Sequence, residues 1–194
     1  MDTILKLTLE KNFIELVNTC EQLEIQSAAD TSLDLSYIYP IYLASYILIH
    51  DLQSARYLHK RILINNASSP EIDAIWRVIV DVIKKNYQQL YKDLDDYSWS
   101  EIMQLLIEHI KQDVREESFQ LISNIYTSIE LSQASTYFGL SDKEVLNELT
   151  ARGWSYNEST QILYPIKPSS VSKKIINTDN FEKIADIILN LEKF

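Results

Sequence analysis

A chain of 194 residues with two glycines and four prolines has few ways to turn without strain. Glycine adopts positive φ at no steric cost and proline interrupts helices, so their scarcity predicts long helices joined by short connections. The two glycines, Gly139 and Gly153, punctuate a single segment, Leu140 to Arg152. Whatever the chain does elsewhere, it commits to a short, bracketed helix here.

The residues between the glycines agree with that reading. Ser141 and Glu144 have the S-x-x-E spacing of a capping box, in which each side chain satisfies a backbone N–H at the helix start. Val145, Leu146 and Leu149 give an apolar face at helical spacing, and Gly153 falls where a C′ glycine closes a helix. Upstream, Ser132 is placed to cap a first short helix with Ala134, Tyr137 and Phe138 facing inward, and Ser128 to Leu131 reads as a strand. Downstream, Trp154-Ser155-Tyr156 and Gln161-Ile162-Leu163-Tyr164 read as two strands around the polar turn Asn157-Glu158-Ser159-Thr160. The order is strand, helix, tight turn, helix, hairpin. This is a winged helix-turn-helix spanning 128–166.

Before it, residues 1–127 read as a stack of helices. Thr3 to Leu9 opens the chain, and Asn12 caps a second helix with Phe13, Leu16, Val17, Cys20 and Leu23 on its stripe. A loop over 27–36 follows, and Pro40 is expected in the first turn of a third helix. Ala55, Leu58, Ile62 and Leu63 mark a fourth helix after a turn at His50-Asp51. Ser69-Pro70-Glu71 is a strong restart: a cap, then proline at N1, then an acid in the first turn. Tyr87 to Leu94 makes a short sixth helix. A further one begins after Ser100 and runs to Tyr126, with a break expected near Gln112. Lys11-Asn12-Phe13 is echoed by Lys85-Asn86-Tyr87, each leading into a helix. Paired helices of this kind suggest an antiparallel helical-repeat stack of the tetratricopeptide type, although no strict repeat is visible. Residues 167–177 read as a polar linker, and 178–194 as a terminal helix with Phe181, Ile184, Ile187, Ile188 and Leu191 on one face. The fold class is thus mainly α.

Charge and cysteine narrow the function. The net charge is −10, and the winged-helix segment 129–165 carries five acids against two bases. Recognition of a DNA groove needs Arg, Lys and Asn facing bases amid cations that neutralise phosphate. The segment after Ser141 offers Asp142, Lys143, Glu144, Asn147, Glu148 and Arg152, and the wing has Glu158 with no Lys or Arg. A nucleic-acid role is therefore disfavoured, and a protein-assembly module whose strands extend a partner's sheet is the better reading. The hairpin residues Trp154, Tyr156, Ile162 and Tyr164 and the five apolar residues of the terminal helix are the candidate contacts. The longest apolar stretch, Ile38 to Ile49, falls short of the about 20 residues that a membrane helix needs. With no secretory start and one cysteine, Cys20, set among apolar residues, a soluble protein of a reducing compartment is expected.

Catalytic signals are missing from the pattern. The histidines His50, His59 and His109 belong to no metal-binding spacing, and there is no phosphate-cradling glycine loop or nucleophile elbow. No cofactor and no metal are expected, and an enzyme is not.

Several short stretches then carry a resemblance. Gln53-Ser54-Ala55-Arg56-Tyr57-Leu58 with Lys60 and Ile62, Tyr97-Ser98-Trp99-Ser100, Phe119-Gln120-Leu121-Ile122, Ala134 to Leu140, and Gly153-Trp154 occur in an order and spacing that resemble the PCI-domain family. That family is shared by the proteasome lid, the COP-nine signalosome and translation initiation factor three. The likeness runs from about Phe13 to Ile166 and is nearest to the smallest PCI subunits of the signalosome. It implies a non-catalytic scaffold, in cytoplasm and nucleus, of the complex that removes the ubiquitin-like modifier NEDD from cullins. It also implies winged-helix edges and a bundle of terminal helices as the contacts with other PCI subunits. The lid and initiation-factor relatives share the same plan and stay open as alternatives at this point.

Overall fold

The apolar run that is too short to span a membrane becomes the axis of the larger core. The computed structural model describes residues 2–29 and 35–166. In chain order its elements are α1 (Asp2–Leu9), α2 (Phe13–Ala29), a 3-10 turn (Leu35–Tyr37), α3 (Ile38–Leu48), α4 (Leu52–Ile64), α5 (Pro70–Lys84), α6 (Tyr87–Asp96) and α7 (Glu101–Ile125). There follow β1 (Ile129–Glu130), α8 (Leu131–Phe138), α9 (Asp142–Ala151), β2 (Ser155–Asn157) and β3 (Ile162–Tyr164). Helix α3 is buried from Ile38 through Ser45 and again at Ile47. A helix that is apolar all round needs cover on every face, and α2, α4, α5 and α7 supply it.

Several expectations shift by a turn or less. Pro40 falls in the first turn of α3 as expected, at its third position, where a missing N–H is harmless because the first N–H groups of a helix have no helical partner. Helix α2 continues to Ala29, past the start expected for the loop. Leu63 is on the solvent side of α4, while Ala55, Leu58 and Ile62 are fully buried. Ser132 lies inside α8, and Glu130 takes the N-cap position instead. Trp76 and Tyr126 are half-buried, whereas Trp99 is in the core, its indole N–H donating to the Leu94 carbonyl at 2.8 Å. The restart at Ser69 forms as expected, with its hydroxyl accepting from the Ile72 N–H at 3.3 Å.

Most helix ends are turned without glycine. Lys11, His50, Asn66 and Lys85 all have φ between 51° and 58°. At each, that residue's N–H donates to the carbonyl three back and the next N–H to the carbonyl five back: Lys11 to Thr8 and Asn12 to Leu7, Lys85 to Val82 and Asn86 to Asp81. His50-Asp51 and Asn66-Ala67 repeat the pattern. This is the Schellman closure usually given to glycine. It explains the Lys-Asn echo: the lysine takes the left-handed position and the asparagine begins the next helix. Asn12 caps with its side chain, accepting from Glu15 N–H at 3.3 Å, while Asn86 makes no such bond.

Two apolar cores result. One gathers buried residues from Ile4 to Val114, and the other gathers Ile122, Ile129, Ala134, Phe138, Val145, Leu149, Trp154 and Leu163. Helix α7 serves both, unbroken at Gln112; its 25 residues span about 37 Å. Its first half lines the first core and its last turns the second. The end of α8 is pinned to the stack by side chains. The Tyr91 hydroxyl on α6 donates to the Tyr137 carbonyl at 3.2 Å, and Arg115 Nε on α7 donates to the Phe138 carbonyl at 3.1 Å. These are terminal carbonyls that no helical N–H can reach. The smaller unit is thereby held in place on the larger.

Candidate assembly surface

Alternation along three short strands decides which hairpin residues face outward. β3 is the centre of an antiparallel sheet in the order β1-β3-β2, with Leu163 opposite Ile129 on one side and Tyr156 on the other. Side chains at every second position share a face. Leu163 and Ile129 are buried, and Tyr156 beside them is half-buried and packed on the second core. Ile162 and Tyr164, offset by one from Leu163, therefore lie on the opposite face, with Tyr164 41% exposed. Ile166 continues the outward pattern and lies against Gly153.

The structure thus divides the candidate contacts. Trp154 is buried, its ring stacked on Phe119 at 5.5 Å between centroids, so it shapes the unit from within. On the outward face Tyr164 is exposed and Ile162 is half-buried. Phe181, Ile184, Ile187, Ile188 and Leu191 lie outside the described residues, as does the linker. Among the described residues β2 is bonded on one side only, to β3, which leaves its outer edge as a run of backbone donors and acceptors.

The helices that support the sheet are locked by polar contacts. Glu144 accepts from both the N–H and the hydroxyl of Ser141, at 3.0 and 2.7 Å, which holds its carboxyl below the usual range. In the hairpin turn Asn157 Oδ1 accepts from the Ser159 N–H at 3.0 Å, a local bond that sets the bend. Arg152, at the end of α9, pairs with Glu116 at 2.7 Å and Glu148 at 3.2 Å, and its guanidinium lies 4.5 Å over the Phe119 ring. The one arginine of the α9 segment is therefore spent on α7 and on its own helix. The exposed charges left on α9 are Asp142, Lys143 and Glu144, a net negative set that is a poor match to phosphate. The sequence names Arg152 without revealing this pairing, because Glu116 is 36 residues away.

The histidines and the cysteine take structural places. His109 meets the Phe13 ring edge-on at 5.6 Å, and His59 stacks on Trp76. His50, in its left-handed turn, lies 3.3 Å from Glu117 and 3.6 Å from Asp113. Cys20 is fully buried, and burial pushes its thiol up to about 12. Among the described residues no group of three or more His, Cys, Asp or Glu is disposed to hold a metal ion, and no helix is long and apolar enough to cross a membrane.

Comparison with known proteins places this arrangement. Residues 35–174 match the CSN8/PSMD8/EIF3K family, a stretch running from the 3-10 turn through the whole sheet. The chain belongs to the CSN8/PSMD8/EIF3K family. Among its relatives, COP9 signalosome complex subunit 8 of Xenopus laevis is 30% identical over 183 residues, covering 93% of this chain and 93% of the relative. The Xenopus tropicalis protein of the same name is 30% identical over 184 residues, again 93% of this chain and 94% of the relative. That of Dictyostelium discoideum is 28% identical over 197 residues, covering 98% and 96%. In the CSN8/PSMD8/EIF3K frame, the matched region takes in the joint at Tyr91 and Arg115 and the hairpin part of the candidate surface, and stops short of residues 181–191.

Proposed function

We propose that this chain is a non-catalytic scaffold subunit of a COP9 signalosome, the complex that removes the ubiquitin-like modifier NEDD from cullins. The observation that carries the reading is the near end-to-end likeness to proteins named COP9 signalosome complex subunit 8. Catalysis is assigned to other subunits, in cytoplasm and nucleus. The finer architecture belongs to the same proposal: residues 1–127 as a helical-repeat-like stack, 128–166 as a winged helix, 167–177 as a linker and 178–194 as a terminal assembly helix. The strand–helix–helix–hairpin order and the sheet order β1-β3-β2 support the winged-helix reading. The matching left-handed lysine turns before α2 and α6 support the repeat-like one.

The contacts with other PCI subunits are assigned to the outer edge of β2, to Ile162 and Tyr164 on the outward sheet face, and to the apolar stripe of residues 181–191. Open backbone groups on a strand edge supply affinity by pairing, and alternate side chains supply selectivity. A tagged copy purified from its own cells should bring down the other signalosome subunits together with cullins. Recovery of proteasome-lid or ribosomal initiation partners instead would overturn the assignment.

A further inference from the structure

The stretch Gln53 to Ile62 is only half explained by packing. Ala55, Leu58 and Ile62 are fully buried, whereas Gln53, Arg56, Tyr57 and Lys60 are exposed. Those four fall at i, i+3, i+4 and i+7, one face of α4. That face is one wall of a groove whose other wall is Trp76, Val80, Ile83 and Lys84 of α5. His59 stacks on Trp76 with 3.8 Å between ring centroids and 5° between planes, and burial holds its imidazole below the usual histidine range. The stack is thus a neutral aromatic surface within the groove. Tyr57 is 62% exposed, with Lys60 Nζ 5.8 Å from its ring centre.

The charges that line the groove are all of one sign. Arg56, Lys60 and Lys84 line the groove and no acidic residue does. Some cations elsewhere meet acids, as at Arg61 with Glu24, Lys111 with Asp95 and Arg152 with Glu116. None of the three groove cations forms an ion pair among the described residues.

We propose that the α4–α5 groove docks an acidic segment of another protein. An aromatic or aliphatic side chain of that segment seats on the His59–Trp76 stack, and its carboxylates meet Arg56, Lys60 and Lys84. The mixed lining selects a peptide over a phosphate polymer: an apolar wall is idle against a polyanion, whereas a buried anchor with a charged rim is how protein segments are held. The net charge of −10 also repels a long polyanion. A short acidic segment, in contrast, senses mainly the cations within about 10 Å. The groove shares no residue with the sheet, so this inference stands or falls apart from the subunit assignment.

The full-length chain should be titrated with a short labelled peptide of Asp and Glu interrupted by Phe and Leu, read by fluorescence anisotropy. Two companion peptides replace the acids by Lys or the apolar residues by Ser. The first should bind, weaken as salt rises, and exceed both companions by roughly tenfold or more. Trp99 and Trp154 are buried while Trp76 is half-buried, so a change in tryptophan emission on binding reports the groove. The double variant Arg56→Glu/Lys60→Glu should lose affinity by roughly tenfold or more at an unchanged Tm, because both side chains are exposed. Unchanged affinity in that variant would overturn the proposal. So would a short RNA or the Ser-substituted acidic peptide binding as well as the first, which would mark a polyanion site.

Discussion

The ring of Tyr91 is pressed against the α-carbon of Gly139. A Cβ built on the glycine would stand 2.3 Å from both Cγ and Cδ2 of the ring, at a residue whose φ is +59°. The same tyrosine donates its hydroxyl to the Tyr137 carbonyl. One aromatic side chain of α6 thus closes over the turn between α8 and α9, where only a residue without a side chain fits. The joint between the two cores rests on this contact and on Arg115.

Gly139→Ala should therefore destabilise the protein by roughly 2–5 kcal/mol, adding left-handed strain to overpacking against a ring whose base cannot swing away. Urea denaturation checks it. In a double-mutant cycle with Tyr91→Ala the two losses should be markedly non-additive, since the smaller side chain leaves room for the methyl. Simple additivity would show that the contact is not the cause.

The opposite result is expected at the lysine turns. Lys11 and Lys85 hold φ of 57° and 55° in Schellman closures. Replacing either by glycine removes a strained side chain and should stabilise by about 0.5–1 kcal/mol, net of the entropy lost from the unfolded chain. A lower urea midpoint in both variants would contradict the reading.

Arg152→Ala tests how α9 is tied to α7. The pair with Glu116 is half-exposed, so its share is small; with the stacking on Phe119 the loss at neutral pH should be about 0.5–1.5 kcal/mol. Glu116 has a folded-state pKa lowered first by its bond from Arg152. A lowered carboxyl contributes stability above its unfolded pKa and loses it as pH falls through the folded one. The difference in Tm between wild type and variant should therefore shrink on going from neutral pH into the acid range, leaving the ring contact. A constant difference across that range would remove the ion pair from the account.

Cys20 should be silent toward thiol reagents in the native state. The reactive species is the thiolate, and both its full burial and its upward shift to about 12 suppress it. Modification by a disulfide reagent at mildly alkaline pH should follow the rate of unfolding and become immediate in denaturant. Fast labelling of the folded protein would contradict the buried position.

The outward sheet face and the buried tryptophan should separate assembly from stability. Tyr164→Ser should leave Tm nearly unchanged, and Ile162→Asp, at a half-buried position, should lower it only modestly, while both reduce recovery of partner subunits in the purification described above. Trp154→Ala should cost about 3–5 kcal/mol as a large-to-small core change. If Ile162→Asp and Tyr164→Ser left assembly intact in a folded protein, this face would not be a contact.

Local punctuation made much of the fold legible. Ser69-Pro70-Glu71, the Ser141–Glu144 box and the two glycines act through bonds within four residues of themselves, so their outcome is written in the nearby chain. The missed features have a different character. The left-handed Lys11 and Lys85 carry no residue signal, because almost any side chain can be forced into that conformation when the helices on either side are packed. The unbroken α7 was hidden because Gln112 and its polar neighbours interrupt the apolar stripe, and it is the burial of Ile110 and Val114 on either side that carries the helix through. Among the candidate contacts, strand periodicity named the hairpin residues but could not say that Trp154 turns inward.

Residue order is enough to make this chain a run of helices leading into a small acidic strand-and-helix unit, with no motif for catalysis. Those are consequences of residue type and spacing along a few turns. Only the packed structure shows that Arg152 is neutralised by Glu116, that Gly139 lies under Tyr91, and that Arg56, Lys60 and Lys84 gather in a groove lined by no acid, beside an aromatic stack. Each of these brings together residues of at least two helices or their caps. Their meeting is set by how apolar faces pack across the whole chain, which no local pattern encodes.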